Sequence, residues 1–250
     1  MSNMEFLSAN KINTTTQLIM PVNTNVALYL IDKNKSLQYY TTGYTTNTSC
    51  VISVSFSAAT VISNIILQNH NLKAFRLFYN SVTANSIAVY STNSETSNYI
   101  NFATLTVNSV QLQIDSAMTA DTERLIGEFI IADKQLVFER NPSIDNFTPT
   151  TDRIQIRHIM ADGGISLHNI RDKFKVKIKQ NFITESFYNS LLSIYTTALP
   201  LCFVPFPTTT GWDCKAFEMV WSGDFDFKYA TNVKTIGYTG SILLEETPSL

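Results

Sequence analysis

The chain has 250 residues, enough for two domains, with 44% hydrophobic but only 15% charged residues. A formal net charge of −2 offers nothing to a polyanion, and no basic stripe interleaves with aromatics, so nucleic acid is disfavoured as a partner. Polar surface must therefore come from Thr, Ser and Asn, a composition that with 12% aromatics suits a pleated, β-rich protein.

Residues 1–11 read as a lead-in without the basic and apolar regions of a signal peptide. Short apolar runs then alternate with Thr/Asn/Ser clusters, through Leu18-Ile19-Met20 and Val26 to Ile31. Strands are expected over Val51–Phe56, Val61–Leu67, Phe75–Tyr79, Ser86–Tyr90, Ile100–Val107, Ser109–Ile114 and Leu125–Ile131, with a polar turn over Met118–Glu123. About eight strands before residue 135 amount to one complete β-sandwich. Residues 139–152 carry Pro142 and Pro149 and few aliphatics, so a linker is expected there, with domains at 1–139 and 140–250.

In the second half, Ile154 and Ile156 alternate with polar neighbours, and Asp162-Gly163-Gly164 predicts a hairpin turn. Phe174, Val176 and Ile178 then alternate with Lys175, Lys177 and Lys179. One helix is expected at about 184–198, with Thr184 as N-cap, Glu185 in its first turn and Pro200 beyond its end. Phe187, Leu191, Ile194 and Ala198 form one apolar stripe, and Tyr188, Leu192 and Tyr195 form another, so this helix must lie on a sheet. Strands through Leu201–Val204, Lys215–Trp221 and Thr235–Glu246 complete that sheet.

A search for chemistry finds none. His70, His158 and His168 sit in no metal-ligand spacing, and His70 reads as a satisfied loop histidine. Cys50, Cys202 and Cys214 are an odd number at wide spacings, which argues against a disulfide framework. Cys50 and Cys202 lie in apolar runs and are expected to be buried free thiols, in keeping with a reducing cytosol. Asp224 and Asp226 alternate with Phe225 and Phe227, the pattern of a solvated edge strand rather than a catalytic pair. No nucleotide-binding or nucleophile motif occurs, no cofactor is implied, and no apolar run approaches the roughly 18 residues of a membrane span. The expectation is a protein that is not an enzyme. Tyr39, Tyr40 and Tyr44 beside Gly43 are the candidate contacts for a glycan or a partner; Trp212, Phe225 and Phe227 are the candidate subunit interface.

Two resemblances follow from phrases taken in order. Ala27 to Asp32, the Thr-rich loop ending at Gly43, Val51–Phe56 followed by Ala58-Ala59-Thr60-Val61-Ile62, then Ile65–Leu67 leading to Asn69-His70-Asn71-Leu72-Lys73-Ala74-Phe75, and finally Val110–Ile114 leading to Ile126-Gly127-Glu128-Phe129 resemble the galactose-binding-like, or discoidin-type, β-sandwich. The order hairpin, long strand, helix, then strands ending in Gly237 to Glu246 resembles the ring-forming domains of bacteriophage tail-tube, distal-tail and baseplate subunits, a β-sandwich with one packed helix. The first resemblance implies loops at one end of a sandwich, where lectins of this type stack sugars on aromatics. The second implies a non-enzymatic tail subunit of the virion, assembled in the host cytoplasm, forming a homo-oligomeric ring and docking other tail or baseplate proteins. The alternative is a carbohydrate-binding module for a host surface glycan.

Overall fold

The computed structural model describes residues 3–34, 37–43, 49–160, 164–207, 215–231 and 237–247, without the side chains of 168–171. It is mainly β, and the chain divides into two compact units. Unit 1 holds Met1–Val137 together with Leu201–Phe217; unit 2 holds Phe138–Pro200 and Glu218–Thr247. The segment after the helix, Leu201–Phe217, belongs to unit 1.

Unit 1 is organised around a 21-residue strand, β4 (Cys50–His70). The segments expected as two strands, Val51–Phe56 and Val61–Leu67, are one, and so are Ile100–Val107 and Ser109–Ile114, which merge into β7 (Asn98–Ala117). The polar break between them is a pair of register shifts, between Ser55 and Thr60 and between Ile62 and Asn64, rather than a turn. Such irregularities bend a strand without ending it. Around β4 and β7 a seven-stranded antiparallel sheet runs in the order β3 (Tyr39–Tyr40), β8 (Leu125–Ala132), β4, β7, β5 (Leu72–Tyr79), β6 (Ser86–Tyr90), with β2 (Leu18–Ile19) also on β4. Ile52 and Val54 from before the shift and Ile65 and Leu67 from after it enter one apolar core. The sheet therefore curls around that core. Val26 to Ile31 contributes from a 3-10 helix, Thr24–Leu30, whose Ala27 and Leu30 are buried in it.

The lead-in is a strand. In β1 (Glu5–Ser8) Phe6 and Leu7 are fully buried, and β1 pairs with β9 (Lys134–Val137) on one side and β12 (Leu201–Val204) on the other. A second apolar cluster holds Leu7, Cys202 and Val204 from these strands with Ile66, Ile130 and Ala132 from β4 and β8. Because side chains alternate across a strand, β4 supplies both clusters: Ile65 and Leu67 face one, Ile66 the other. Buried Glu5 accepts from the Tyr99 hydroxyl and pairs with Lys134 at 3.2 Å, so its charge has partners where water is scarce.

Unit 2 follows the alternation closely. β11 (Ile165–Ile183) buries Val176 and Ile178 and exposes Lys177 and Lys179. It lies between β10 (Phe147–Ile159) and β15 (Tyr238–Glu246); β15 also pairs with β13 (Phe217–Trp221) and β14 (Asp226–Tyr229). The expected linker is instead the start of β10. Pro149 is accommodated because β10 is an edge strand, where a missing N–H donor costs no ladder bond. The start expected for the last strand, Thr235-Ile236, lies outside the described residues. The helix α1 (Glu185–Thr197) begins as expected: the Thr184 hydroxyl accepts from the Phe187 N–H at 3.1 Å, and Ala198 ends it in the left-handed region. Glu139, also from the expected linker, accepts from the Thr184 N–H and hydroxyl, placing a carboxylate at the positive end of the helix. Phe187 and Leu191 are its buried residues.

Two outcomes follow. A Cβ at Gly240 would lie 2.3 Å from the Asp226 carbonyl oxygen and 2.6 Å from the Phe227 ring. Gly240→Ala is expected to destabilise unit 2 by at least the upper part of the about 1–3 kcal/mol typical of overpacking, read as a lowered urea midpoint. Burial pushes the Cys50 thiol up to about 11, and Cys202 is buried as well. In the native protein at about pH 8 both are expected to resist iodoacetamide and to react once urea is added, by peptide mass mapping; rapid native labelling of either contradicts this packing.

Candidate functional site

The tyrosine segment separates by the strand's own geometry. Successive side chains in β3 point to opposite faces. Tyr39 is fully buried in the main core of unit 1, its hydroxyl donating to the Val22 carbonyl at 2.8 Å. It is therefore a core residue and not a contact. Tyr40 faces out with 37% exposure. Tyr44 lies outside the described residues, as do Trp212 and Cys214.

Tyr40 stands on a well-fastened ledge. The Asn23 side-chain amide donates to the Tyr40 carbonyl at 2.8 Å and to the Thr42 hydroxyl at 2.9 Å. Thr41, fully buried, exchanges bonds with Arg124: its N–H donates to the Arg124 carbonyl, and its hydroxyl accepts from the Arg124 N–H, both at 3.1 Å. The Gln38 side-chain amide donates to the Asn69 carbonyl at 2.8 Å. Ligand-contacting aromatics work best when their backbone is held in this way, because little ordering remains for the ligand to drive.

The centre of this end of unit 1 is Asn69-His70-Asn71, at the turn from β4 to β5. Asn69 adopts a left-handed φ of 51°, which asparagine tolerates better than most residues. The Asn71 side chain donates to the Glu123 carbonyl and accepts from the Leu125 N–H, both at 2.8 Å, which ties down the 118–124 loop. Fully buried Arg124 donates from Nη2 to the Asp115 carbonyl at 3.0 Å. On the other side, the His70 N–H donates to the Thr96 carbonyl at 2.8 Å, and Asn93 donates to the Leu72 and Glu95 carbonyls at 2.8 and 2.7 Å. Three loops, 38–43, 91–98 and 118–124, thus hang on three consecutive residues. Burial pushes His70 down to about 4, against a smaller upward effect of its bond to Asn98. It is a satisfied histidine, as expected, but buried rather than in an open loop. Asn71, Asn93 and Arg124 were not singled out from the sequence. The one available signal was the density of asparagines at turns, where their side chains substitute for backbone partners.

The proposed interface aromatics have intramolecular partners. Phe225 lies within 5.0–5.7 Å, centroid to centroid, of Tyr188, Tyr195, Trp221 and Phe227. Phe227 is buried. Their role in this chain is to seat α1 on the sheet of unit 2: Tyr188 and Tyr195 are the second apolar stripe of the helix, and they need rings to pack against. Asp224 and Asp226 are exposed, and Asp226 lies on β14 as an edge-strand residue. Among the described residues no group of three or more His, Cys, Asp or Glu could hold a metal ion.

No protein-family model matches the chain, and no curated protein matches it. Among solved structures, similar chains include CpGH89CBM32-6 of Clostridium perfringens, with a TM-score of 0.40 and 17% identity over 49% of this chain and 97% of that one. Chitosan-binding module 2 of a Paenibacillus sp. IK-5 chitosanase/glucanase, solved with chitotriose, gives a TM-score of 0.36 and 12% identity over 52% of this chain and 95% of that one. The family 32 carbohydrate-binding module of Streptococcus pneumoniae EndoD gives 0.32 and 12%, over 39% and 75%. Likenesses of this strength carry no weight for function, and they place the chain in no family.

Proposed function

We propose that unit 1 is a non-enzymatic carbohydrate-binding module whose contact face is the loop end around Tyr40. The observation that carries the reading is the exposed Tyr40 on a ledge whose neighbours are already bonded to one another. An aromatic face stacks on the apolar face of a sugar ring, and the amide- and hydroxyl-rich surroundings suit its hydroxyls. On a glycan array, the full chain is expected to give saturable signals that Tyr40→Ala weakens by about tenfold or more, the equivalent of about 1.4 kcal/mol. Tyr40→Phe is expected to keep most of the binding. Absence of any signal, or binding indifferent to Tyr40→Ala, sinks the reading.

A second reading, a structural subunit that self-associates, is favoured by a separate observation in unit 2. β11 pairs with β15 only over Lys175–Ile183, whereas it pairs with β10 over Ile165–Ile178. Thr151–Ile159 and Ile165–Phe174 therefore continue beyond β15 as a two-stranded ribbon of about 30 Å. Cross-strand register puts Ile159, Ile165 and Leu167 on one face, with exposures of 73%, 55% and 60%. A contiguous exposed apolar patch marks a surface that buries against something. In this reading the partner is a second copy, closing into a ring, and the setting is a phage tail tip, baseplate or distal tail in the virion, with other tail proteins docked on it. Light scattering of the purified chain at high concentration is expected to show an oligomer that the Ile159→Lys, Leu167→Lys double variant dissociates. A strictly monomeric chain defeats this reading and leaves the first untouched.

A further inference from the structure

We infer that Glu123 and Thr42 are the polar half of the Tyr40 surface, and that they select neutral sugars with adjacent free hydroxyls and turn away anionic ones. This rests on the carbohydrate reading of unit 1 and adds its specificity. The placement comes from strand geometry. Tyr40 pairs with Leu125 directly across β3 and β8. Burial alternates in step on both sides of that pair. Tyr39, Thr41, Arg124 and Ile126 are fully buried, whereas Tyr40 and Thr42 are exposed and Glu123 and Leu125 are half-buried. Side chains two residues apart on an extended chain share a face, so Tyr40, Thr42, Glu123 and Leu125 lie together on the outer one. Glu123 is then the diagonal neighbour of Tyr40, at about 7–8 Å, within the span of one sugar ring. Its backbone is held: the Glu123 carbonyl accepts from Asn71 at 2.8 Å, and Arg124 exchanges bonds with Thr41.

What these two side chains leave unused is complementary. Thr42 Oγ1 accepts from Asn23 at 2.9 Å, which occupies a lone pair and leaves its O–H to donate. Among the described residues no hydrogen bond or ion pair engages the Glu123 carboxylate. A carboxylate only accepts, through two oxygens, whereas a hydroxyl both donates and accepts. Two adjacent sugar hydroxyls can therefore donate to Glu123 while one of them accepts from Thr42, with the ring's apolar face on Tyr40 and Leu125. The same carboxylate sets what is refused. The other exposed charges on the loops 38–43, 91–98 and 118–124 are Glu95 and Asp121, of the same sign as Glu123. Arg124 is fully buried, its guanidinium donating to the Asp115 carbonyl at 3.0 Å. A sulfate or carboxylate on the ligand thus meets like charge, with no exposed cation on these loops to balance it.

The test titrates the full chain with a panel of neutral oligosaccharides and with the sialylated and sulfated forms of the same oligosaccharides, at about 20 mM and about 500 mM salt. At low salt the wild-type chain is expected to bind the neutral forms at least about fivefold more tightly, and high salt is expected to shrink that preference. Glu123→Ala is expected to weaken neutral binding by about tenfold, the loss of bonds to a charged acceptor. Glu123→Gln keeps one acceptor without the charge. It is expected to hold neutral binding within about fivefold and to remove most of the discrimination against the anionic forms. The carboxylate has no partner within the protein, so both variants are expected to fold; if either does not, the wild-type preference and its salt dependence decide. Binding that needs Tyr40 but is unmoved by Glu123→Ala, or a preference for the anionic forms, overturns the role of Glu123 and leaves the carbohydrate reading standing. No binding to any member of the panel, or binding indifferent to Tyr40→Ala, overturns both.

Discussion

Unit 1 depends on one strand. β4 hydrogen-bonds to β2, β7 and β8, supplies side chains to both apolar clusters of the unit, and ends at the turn whose three residues, Asn69 to Asn71, hold the surface loops. A strand of this length can do so because it is bent where its register shifts. One half lines the core from one side and the other half closes it. The strand is buried on both faces over Ile62–Gln68, which is why Ile65-Ile66-Leu67 reads as a continuous apolar run rather than an alternation. The polar members of the buried stretch, Ser63, Asn64 and Gln68, are all hydrogen-bonded, as burial demands.

The loop end inherits its rigidity from that strand. Asparagine side chains do there what a ladder of backbone bonds does within a sheet, and a neutral histidine completes the set. The arrangement leaves Tyr40 exposed and its strand neighbour Tyr39 in the core. Unit 2 uses the same materials differently. Its aromatics are turned inward to bind a single helix to a sheet, and its exposed apolar groups lie on a ribbon that runs past the sheet's edge.

Much of this was legible in residue patterns. The alternation at Val176 and Ile178, the cap at Thr184, the short strand Ser86–Tyr90 and the edge character of Asp226 all follow from local rules, because period, capping and turn chemistry act within a few residues. The misreadings share another cause. Glu5–Ser8 looked like a lead-in because its partners lie about 130 and 200 residues away, at Lys134–Val137 and Leu201–Val204. Thr148-Pro149 looked like a linker because its strand sits at an edge, where the usual penalty on proline is absent. Phe225 and Phe227 looked like interface residues because nothing local reveals that Tyr188 and Tyr195 need them.

By itself, the sequence determined that the chain is β-rich, that one helix with a wide apolar face starts after Thr184, and that Cys50 and Cys202 are set among apolar neighbours. These depend on composition and short-range periodicity. Only the tertiary structure decided that two predicted strands are one bent strand, that the 201–217 segment returns to the first unit, that Tyr40 rather than Tyr39 meets solvent, and that Asn71, His70 and Arg124 hold the surface loops. The physical reason is the same in each case: long-range strand pairing and the satisfaction of buried polar groups join residues far apart in the chain, and no window of neighbouring residues contains both partners.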